Sequence, residues 1–211
     1  MSNKVVVVIP AYNEEGRVGR VVRETLSYVD EVIVVDDGST DRTREEAARA
    51  GAKVVANRFQ KGYIGAIKTG FREATGEIVI TLDADGEHDP ADIPKLVEPI
   101  TSGQADLVLG RRGYVPRPSE RFLNWLARRR VPQVRDTGTG FRALRTDLAR
   151  NLQLRGRCTC GIFVLEAVAR GAKVAEVSVR ERPPVSPKRR RVMWEHIPQT
   201  LYVLRWLLKL Y

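Results

Sequence analysis

Short runs of β-branched apolar residues alternate with amphipathic stretches through the first 110 residues. The runs Lys4–Ile9, Glu31–Val35, Lys53–Ala56, Glu77–Leu82 and Asp106–Leu109 predict five strands. Between them, helical patterns fall at about 14–28, 41–50, 61–74 and 90–101. The last of these opens with Asp89 at the N-cap and Pro90 at the first helical position, where a missing N–H costs nothing. Strands that are apolar on both faces and separated by helices predict a parallel sheet with both sides covered, a doubly wound α/β layer.

After Gly110 the rhythm changes. A Pro- and Arg-rich loop at 113–118 leads to a helix near 119–129, then to an irregular stretch, Val134–Leu144. Helices near 146–152 and 160–170 follow, with a strand at Lys173–Arg180 and a basic segment, Arg180–Arg191. A final helical pattern runs from Val192 to Tyr211. No linker composition separates the halves. They read as one domain: a first half at 1–110, a second half at 111–191 and a C-terminal helix at 192–211.

A chain of 211 residues is long enough to bury one substantial core. The N-terminus runs directly into a strand pattern without signal-peptide features, and no stretch of about 18 apolar residues is present to span a membrane. Cys158 and Cys160, one residue apart, have poor zinc spacing and no room for a relaxed disulfide, and read as reduced thiols of a cytoplasmic protein.

Charge is divided unevenly. Residues 1–110 carry 13 Lys/Arg against 19 Asp/Glu, a net −6, whereas residues 111–211 carry 23 against 7, a net +16. The first half is suited to cations. The second is suited to anions: nucleic acid, anionic lipid or a phosphorylated substrate.

Ligands of open parallel sheets bind beyond the carboxyl ends of the strands. Three strand ends here deliver unusual sequences: Pro10-Ala11-Tyr12-Asn13-Glu14-Glu15, Asp36-Asp37-Gly38-Ser39-Thr40-Asp41 and Asp83-Ala84-Asp85-Gly86-Glu87-His88. Carboxylates crowded on one edge repel unless a cation neutralises them. Asp83, Asp85 and Glu87 offer the oxygen donors that Mg²⁺ or Mn²⁺ prefers.

These segments resemble family 2 glycosyltransferases of the GT-A fold, a Rossmann-like, mostly parallel sheet flanked by helices. Lys61-Gly62, Gly65-Ala66, Gly70-Phe71, Gly110-Arg111-Arg112 and Gly138-Thr139-Gly140-Phe141-Arg142 narrow the likeness to polyprenyl-phosphate sugar synthases, the dolichol-phosphate mannose synthases among them. The likeness covers about residues 4–188. It implies that Pro10, Tyr12, Glu14, Val35 and Asp37 hold the nucleoside, and that Asp83, Ala84 and Asp85 meet diphosphate, metal and sugar. Glu87 stands where relatives usually carry a glutamine metal ligand. Arg112 matches a phosphate-contacting arginine. Arg182 and Lys188 match the basic pair of a loop closing over the diphosphate, although Val185-Ser186-Pro187 departs from the pattern of that loop.

By the same likeness Asp85, Arg112 and Asp136 are the catalytic candidates. In relatives that glycosylate a hydroxyl, an acid near Asp136 serves as general base, because a hydroxyl needs one. A lipid phosphate is already ionised. Ten Lys/Arg between 111 and 145, against only Glu120 and Asp136, favour the phosphate acceptor, with Asp136 positioning groups. The expected reaction inverts the anomeric centre. The expected donor is GDP-mannose first and UDP-glucose second, and the acceptor a polyprenyl or dolichyl phosphate. Two rivals stand: transfer to a sugar hydroxyl, and a basic nucleic-acid module. The second has only Tyr114, Phe122, Trp125 and Phe141 for base stacking and leaves the acidic cluster without a purpose; the expectation is no nucleic acid.

Ile197, Leu201, Leu204, Leu208 and Tyr211 form one helical stripe, joined by Trp194, Tyr202 and Trp206 and flanked by Lys188–Arg191, Arg205 and Lys209. Such a helix fits a membrane surface, a small membrane-protein partner or the domain's own core. Pro198 either kinks it or marks its start. The corresponding location is peripheral, on the cytoplasmic face of a membrane.

Overall fold

The run Val5–Ala11 forms strand β1, and all seven residues are buried, as a central strand with helices on both sides requires. The computed structural model describes residues 3–115, 117–156, 158–183 and 196–208, with the side chains of residues 196 and 197 left aside. The elements following β1 are α1 (Val18–Leu26), β2 (Glu31–Asp36), α2 (Thr43–Arg49), β3 (Lys53–Ala56), α3 (Gly62–Glu73) and β4 (Ile78–Thr81). A 3₁₀ turn (Pro90–Asp92), α4 (Ile93–Thr101) and β5 (Leu107–Arg111) complete the alternating part. Then come α5 (Pro118–Ala127), β6 (Arg142–Arg145), α6 (Thr146–Asn151), α7 (Ile162–Ala169), β7 (Val174–Ser178) and α8 (His196–Leu207).

One seven-stranded sheet runs through both halves in the order β3-β2-β1-β4-β6-β5-β7. All pairings are parallel except those of β6, which runs antiparallel to both β4 and β5. Successive β1 side chains alternate between two cores. Val6 and Val8 enter the layer under α3, α5 and α7, while Val5, Val7 and Ile9 enter the layer under α1, α2 and α4. Helix α3 lies so close to β1 that a Cβ on Gly70 would sit 2.2 Å from a Val8 methyl.

Two expectations change. The stretch Val134–Leu144, read as irregular, ends in strand β6, which is inserted between β4 and β5. The helix expected over 90–101 begins as a 3₁₀ turn, with Asp89 accepting from Ala91 N as its cap. Lys188, Val185–Pro187, Trp194, Lys209 and Tyr211 lie outside the described residues.

The 3₁₀ turn is tied to the segment after β7. Buried Asp92 accepts from Arg180 N at 2.7 Å and from Lys95 Nζ at 2.7 Å, and takes a further bond from Arg180 Nε. Burial alone would raise its pKa, but the Lys95 and Arg180 bonds outweigh it and hold the carboxyl below its ordinary value. A depressed folded pKa adds stability that is present above the unfolded pKa and lost as pH falls through the folded one. Asp92→Asn is therefore expected to lower stability by about 2 kcal/mol at pH 7. That deficit should begin to shrink only below about pH 4 and close once pH has fallen through the depressed folded value; urea unfolding followed from pH 7 down to about pH 2 checks it.

Candidate active site

The loops after β1 and β2 are stitched into one rim. Asn13 sits at φ 54°, accepts from Thr40 N at 2.9 Å and donates its backbone N–H to Ser39 Oγ. Glu14 N donates to Thr43 Oγ1 at 2.7 Å, and the Glu15 side chain pairs with Arg42. Tyr12, on the same rim, is 44% exposed. Burial lifts the Glu14 carboxyl above its ordinary value against the pull of Arg17, and the charges of Asp83 and Asp41 add to the rise. Glu14 of the first strand end thus feels a carboxylate from each of the other two.

Beyond β4 the chain alternates buried Ala84, Gly86 and His88 with half-buried Asp83, Asp85 and Glu87. Asp85 accepts from Glu87 N in a tight turn completed by Gly86 at φ 77°. Asp83 is held from several directions. Tyr63 of α3 donates its hydroxyl to Oδ1 at 2.9 Å, and His88 Nε2 stands 4.0 Å from Oδ2. The backbone of Gly140 closes the remaining side: a Cβ there would lie 2.0 Å from Oδ2 and 2.6 Å from Oδ1. Among the described residues no three carboxylate, imidazole or thiol groups converge into a ready-made metal cage. Half-buried oxygen donors without a cage fit a divalent ion that takes its other ligands from water and phosphate.

The second strand end behaves differently from the first and fourth. Asp36 is fully buried and pairs with Arg44 at 2.7 Å. Both oxygens of Asp37 are occupied: Oδ1 accepts from Asn57 Nδ2 (2.8 Å) and Lys61 N (2.9 Å), and Oδ2 from Gly62 N (2.7 Å). Asp37 thereby caps the start of α3, the helix that carries Tyr63. The side chain of Val35 lies in the core beneath α3, and Pro10 is buried at the end of β1, so both shape the rim from below.

On the basic side, Arg112 and Asp136, predicted as separate site residues, bind each other. Arg112 donates from Nε at 2.7 Å and from Nη2 at 2.9 Å, and Asp136 also accepts from the backbone N–H groups of Arg112 and Gly138. Glu120 of α5 accepts from Arg112 and from Arg117. Burial alone would depress the Arg112 pKa; the bonds and charge of Asp136, with Glu120, raise it instead, so the guanidinium stays charged. Next to it opens a pocket of about 390 Å³ with Arg111, Arg112, Arg135 and Ser178 in its wall.

Arg182 lies at the junction of the halves. Its backbone N–H donates to Glu87 O at 2.7 Å, and its guanidinium binds Glu24 and Asp89. To reach a diphosphate it must exchange those carboxylates for phosphate oxygens. Lys188, its predicted partner, falls outside the described residues.

Three contributors escaped the sequence reading of the site. Gly140 and Arg142 were quoted inside one motif without a role, and Tyr63 falls between two quoted pairs, Lys61-Gly62 and Gly65-Ala66. Arg142 is fully buried: its guanidinium lies 4.7 Å from the Phe163 ring centroid, and Nη2 donates to Thr159 Oγ1 at 2.8 Å. Its charge pulls the Tyr63 hydroxyl pKa down, against the larger upward push of burial and of Asp83. Phe141, counted among four stacking positions for nucleic acid, is wholly buried against His88.

The profile of the Glycosyl transferase family 2 matches residues 6–170, from β1 through α7. The chain is 30% identical to a dolichol-phosphate mannosyltransferase of Pyrococcus furiosus, over 96% of this chain and 64% of that protein. It is 35% identical to an undecaprenyl-phosphate 4-deoxy-4-formamido-L-arabinose transferase of Edwardsiella ictaluri, over 67% of this chain and 49% of that one. The chain thus spans about half to two thirds of these relatives' length. Among solved structures, glucosyl-3-phosphoglycerate synthase of Mycobacterium tuberculosis with phosphoglyceric acid superposes with a TM-score of 0.78 at 26% identity, covering 99% of this chain and 80% of that one. The same enzyme has been solved with Mn²⁺, UDP-glucose and phosphoglyceric acid (TM-score 0.76, 25% identity, 99% and 79% covered). The mostly parallel sheet is the GT-A arrangement that these glycosyltransferases share. Since the matching profile takes in all three acidic strand ends together with the Arg112–Asp136 side of the cleft, the chain belongs to glycosyl transferase family 2.

Proposed function

We propose that this chain transfers a hexosyl group, with inversion, from a nucleoside diphosphate sugar to a polyprenyl or dolichyl phosphate. GDP-mannose is the first donor to test and UDP-glucose the second. The observation that carries the choice of acceptor is the state of Asp136: it is 1% exposed, salt-bridged to Arg112 and accepts four hydrogen bonds. Each of its oxygens already accepts two bonds, so neither is turned toward an acceptor hydroxyl, and the site suits a nucleophile that arrives already ionised. The relatives named for dolichol-phosphate and undecaprenyl-phosphate substrates support the same class.

The residues divide the work as follows. Tyr12 offers a ring face to the base, and the loop from Asn13 to Glu15 closes the nucleoside rim. Asp83 and Asp85, with Glu87, would hold Mg²⁺ or Mn²⁺ against the diphosphate, and the ion would neutralise charge growing on that leaving group. Tyr63 and Gly140 fix the direction of Asp83. Arg112, held by Asp136 and Glu120, lines the acceptor side together with Arg111 and Arg135. The acceptor phosphate oxygen forms a bond to the anomeric carbon as the bond to the diphosphate oxygen breaks, with no covalent enzyme intermediate.

Purified protein with Mg²⁺ or Mn²⁺ and a panel of nucleotide-sugars should yield sugar-linked polyprenyl phosphate. No transfer to lipid, sugar or phosphoglyceric acid with any donor would sink the enzymatic reading. Transfer to phosphoglyceric acid alone would move the acceptor to the class bound by the structural neighbour. Asp136→Asn separates the mechanisms at a temperature where the variant is folded. With a phosphate acceptor, kcat should stay within about tenfold of the parent, and the acceptor KM should rise as Arg112 loosens. An obligatory base would instead cost about 10²–10⁴-fold in kcat.

A further inference from the structure

Past its first turn, α5 exposes only Arg121, Phe122 and Trp125. Phe122 and Trp125 are 48% and 50% exposed, and their rings stack at 5.8 Å between centroids. Arg129 lies 4.2 Å from the Trp125 ring centroid, and Arg121 covers Tyr114, itself 62% exposed, at 5.2 Å. Arg121, Arg128 and Arg129 are exposed on the same helix and its C-terminal turn. The one carboxylate of α5, Glu120, is buried and bound to Arg112 and Arg117, so it does not offset these charges. Helix α8 packs alongside, with Arg130 donating to Leu207 O at 2.7 Å. The core side of α8 is Gln199 and Val203; its opposite side exposes Leu201, Leu204 and Leu208.

We propose that this α5–α8 face is the surface by which the protein docks on an anionic lipid bilayer. The inference deepens the lipid-acceptor reading and rests on it. Stacked, half-exposed aromatics set among arginines suit the headgroup level of a membrane, where rings enter the boundary and guanidinium groups meet lipid phosphates. Charge complementarity selects an anionic surface: every charged group displayed by α5 on this face is positive. The place in the fold agrees. Glu120 links α5 directly to Arg112, and the loop carrying Tyr114 runs between α5 and the arginine-lined pocket. A bilayer on this face would present a lipid phosphate beside that pocket while the isoprenoid chain stays in the membrane.

The test uses the full chain and vesicles free of polyprenyl phosphate, so that docking and catalysis fail separately. Sedimentation with vesicles of phosphatidylcholine mixed with phosphatidylglycerol should capture the protein, and phosphatidylcholine alone should capture far less. Added salt should weaken capture. Arg128→Glu/Arg129→Glu should reduce binding by at least about tenfold, and Phe122→Ser/Trp125→Ser by a similar factor, both with unchanged melting temperature. Brominated lipid should quench emission in the parent and in Trp206→Phe, whose ring packs on the core, but much less in Trp125→Phe. No capture by anionic vesicles, or capture untouched by both double variants, overturns the proposal. So does a dimer in solution that the Phe122/Trp125 variant dissolves, since a second copy would then own the face. If transfer to a short, water-soluble polyprenyl phosphate persists while docking fails, only the docking surface is refuted.

Discussion

Gly140→Ala is expected to lower kcat by at least about 100-fold and to weaken Mn²⁺ binding, with the fold retained. An added Cβ would stand 2.0–2.6 Å from the Asp83 carboxylate atoms, and real Cβ atoms do not approach that closely. Neither side can yield without loss. The Gly140 carbonyl is bound by Thr81 Oγ1 at 2.7 Å, and the residue after Asp83's predecessor is set by the strand pairing that Leu82 N continues to Val8 O. Asp83 must therefore swing away from Tyr63, and misplacement of a catalytic group by about 1 Å costs on the order of 100-fold. Some overpacking cost, about 1–3 kcal/mol, should appear in denaturant melts. Gly138→Ala is the control: its Cβ would meet Arg112 Nη2 at 3.2 Å and Cys160 Sγ at 3.5 Å, on the acceptor side. It should change acceptor KM while leaving metal titration calorimetry unaltered. A Gly140→Ala enzyme with parental kcat and metal affinity would remove Gly140 from the site.

The contrast between what the sequence made legible and what it hid has physical causes. β1, β2 and β4 are apolar on both faces because helices cover both faces, and such runs are read directly. The acidic strand ends were visible because Asp and Gly break the strand pattern where the chain turns. β6 was hidden because Arg142-Ala143-Leu144-Arg145 presents two apolar residues between two arginines. One of those arginines is buried, made tolerable by Phe163 and Thr159, which come from elements that follow it in the chain. Asp37 illustrates the same limit at the site. Residue type and position marked it as a ligand-facing acid, but which donors claim its oxygens depends on where Asn57, Lys61 and Gly62 arrive in space. The last helix was ambiguous because it is apolar nearly all round, and periodicity cannot then choose the buried side. In the structure Val203 is fully buried whereas Leu201 and Leu208 are 63% and 66% exposed. Pro198 lies in the first turn of the described helix, where its missing N–H is harmless.

Asp37→Ala should show that a predicted nucleoside ligand also holds the metal side of the cleft together. The substitution removes the acceptor for two N–H groups at the start of α3 and for the buried Asn57 amide. Loss of a cap costs about 1–2 kcal/mol, and an orphaned buried amide about 1–3 kcal/mol. A total near 3 kcal/mol corresponds to a fall in Tm of about 6–12 °C for a chain of this size. Asn57 cannot turn elsewhere, because its Oδ1 already accepts from Lys61 Nζ and Thr69 Oγ1. The effect should travel: a frayed first turn of α3 displaces Tyr63, and Asp83 loses its hydroxyl donor. Asp37→Ala is therefore expected to weaken Mn²⁺ binding although Asp37 touches no metal ligand. Tyr63→Phe isolates the second step, with several-fold weaker metal binding and a stability change within about 1 kcal/mol. If Asp37→Ala instead lowered nucleotide affinity alone, with Tm and metal binding unchanged, its oxygens would have to leave α3 for the nucleoside, and the capping role would fall.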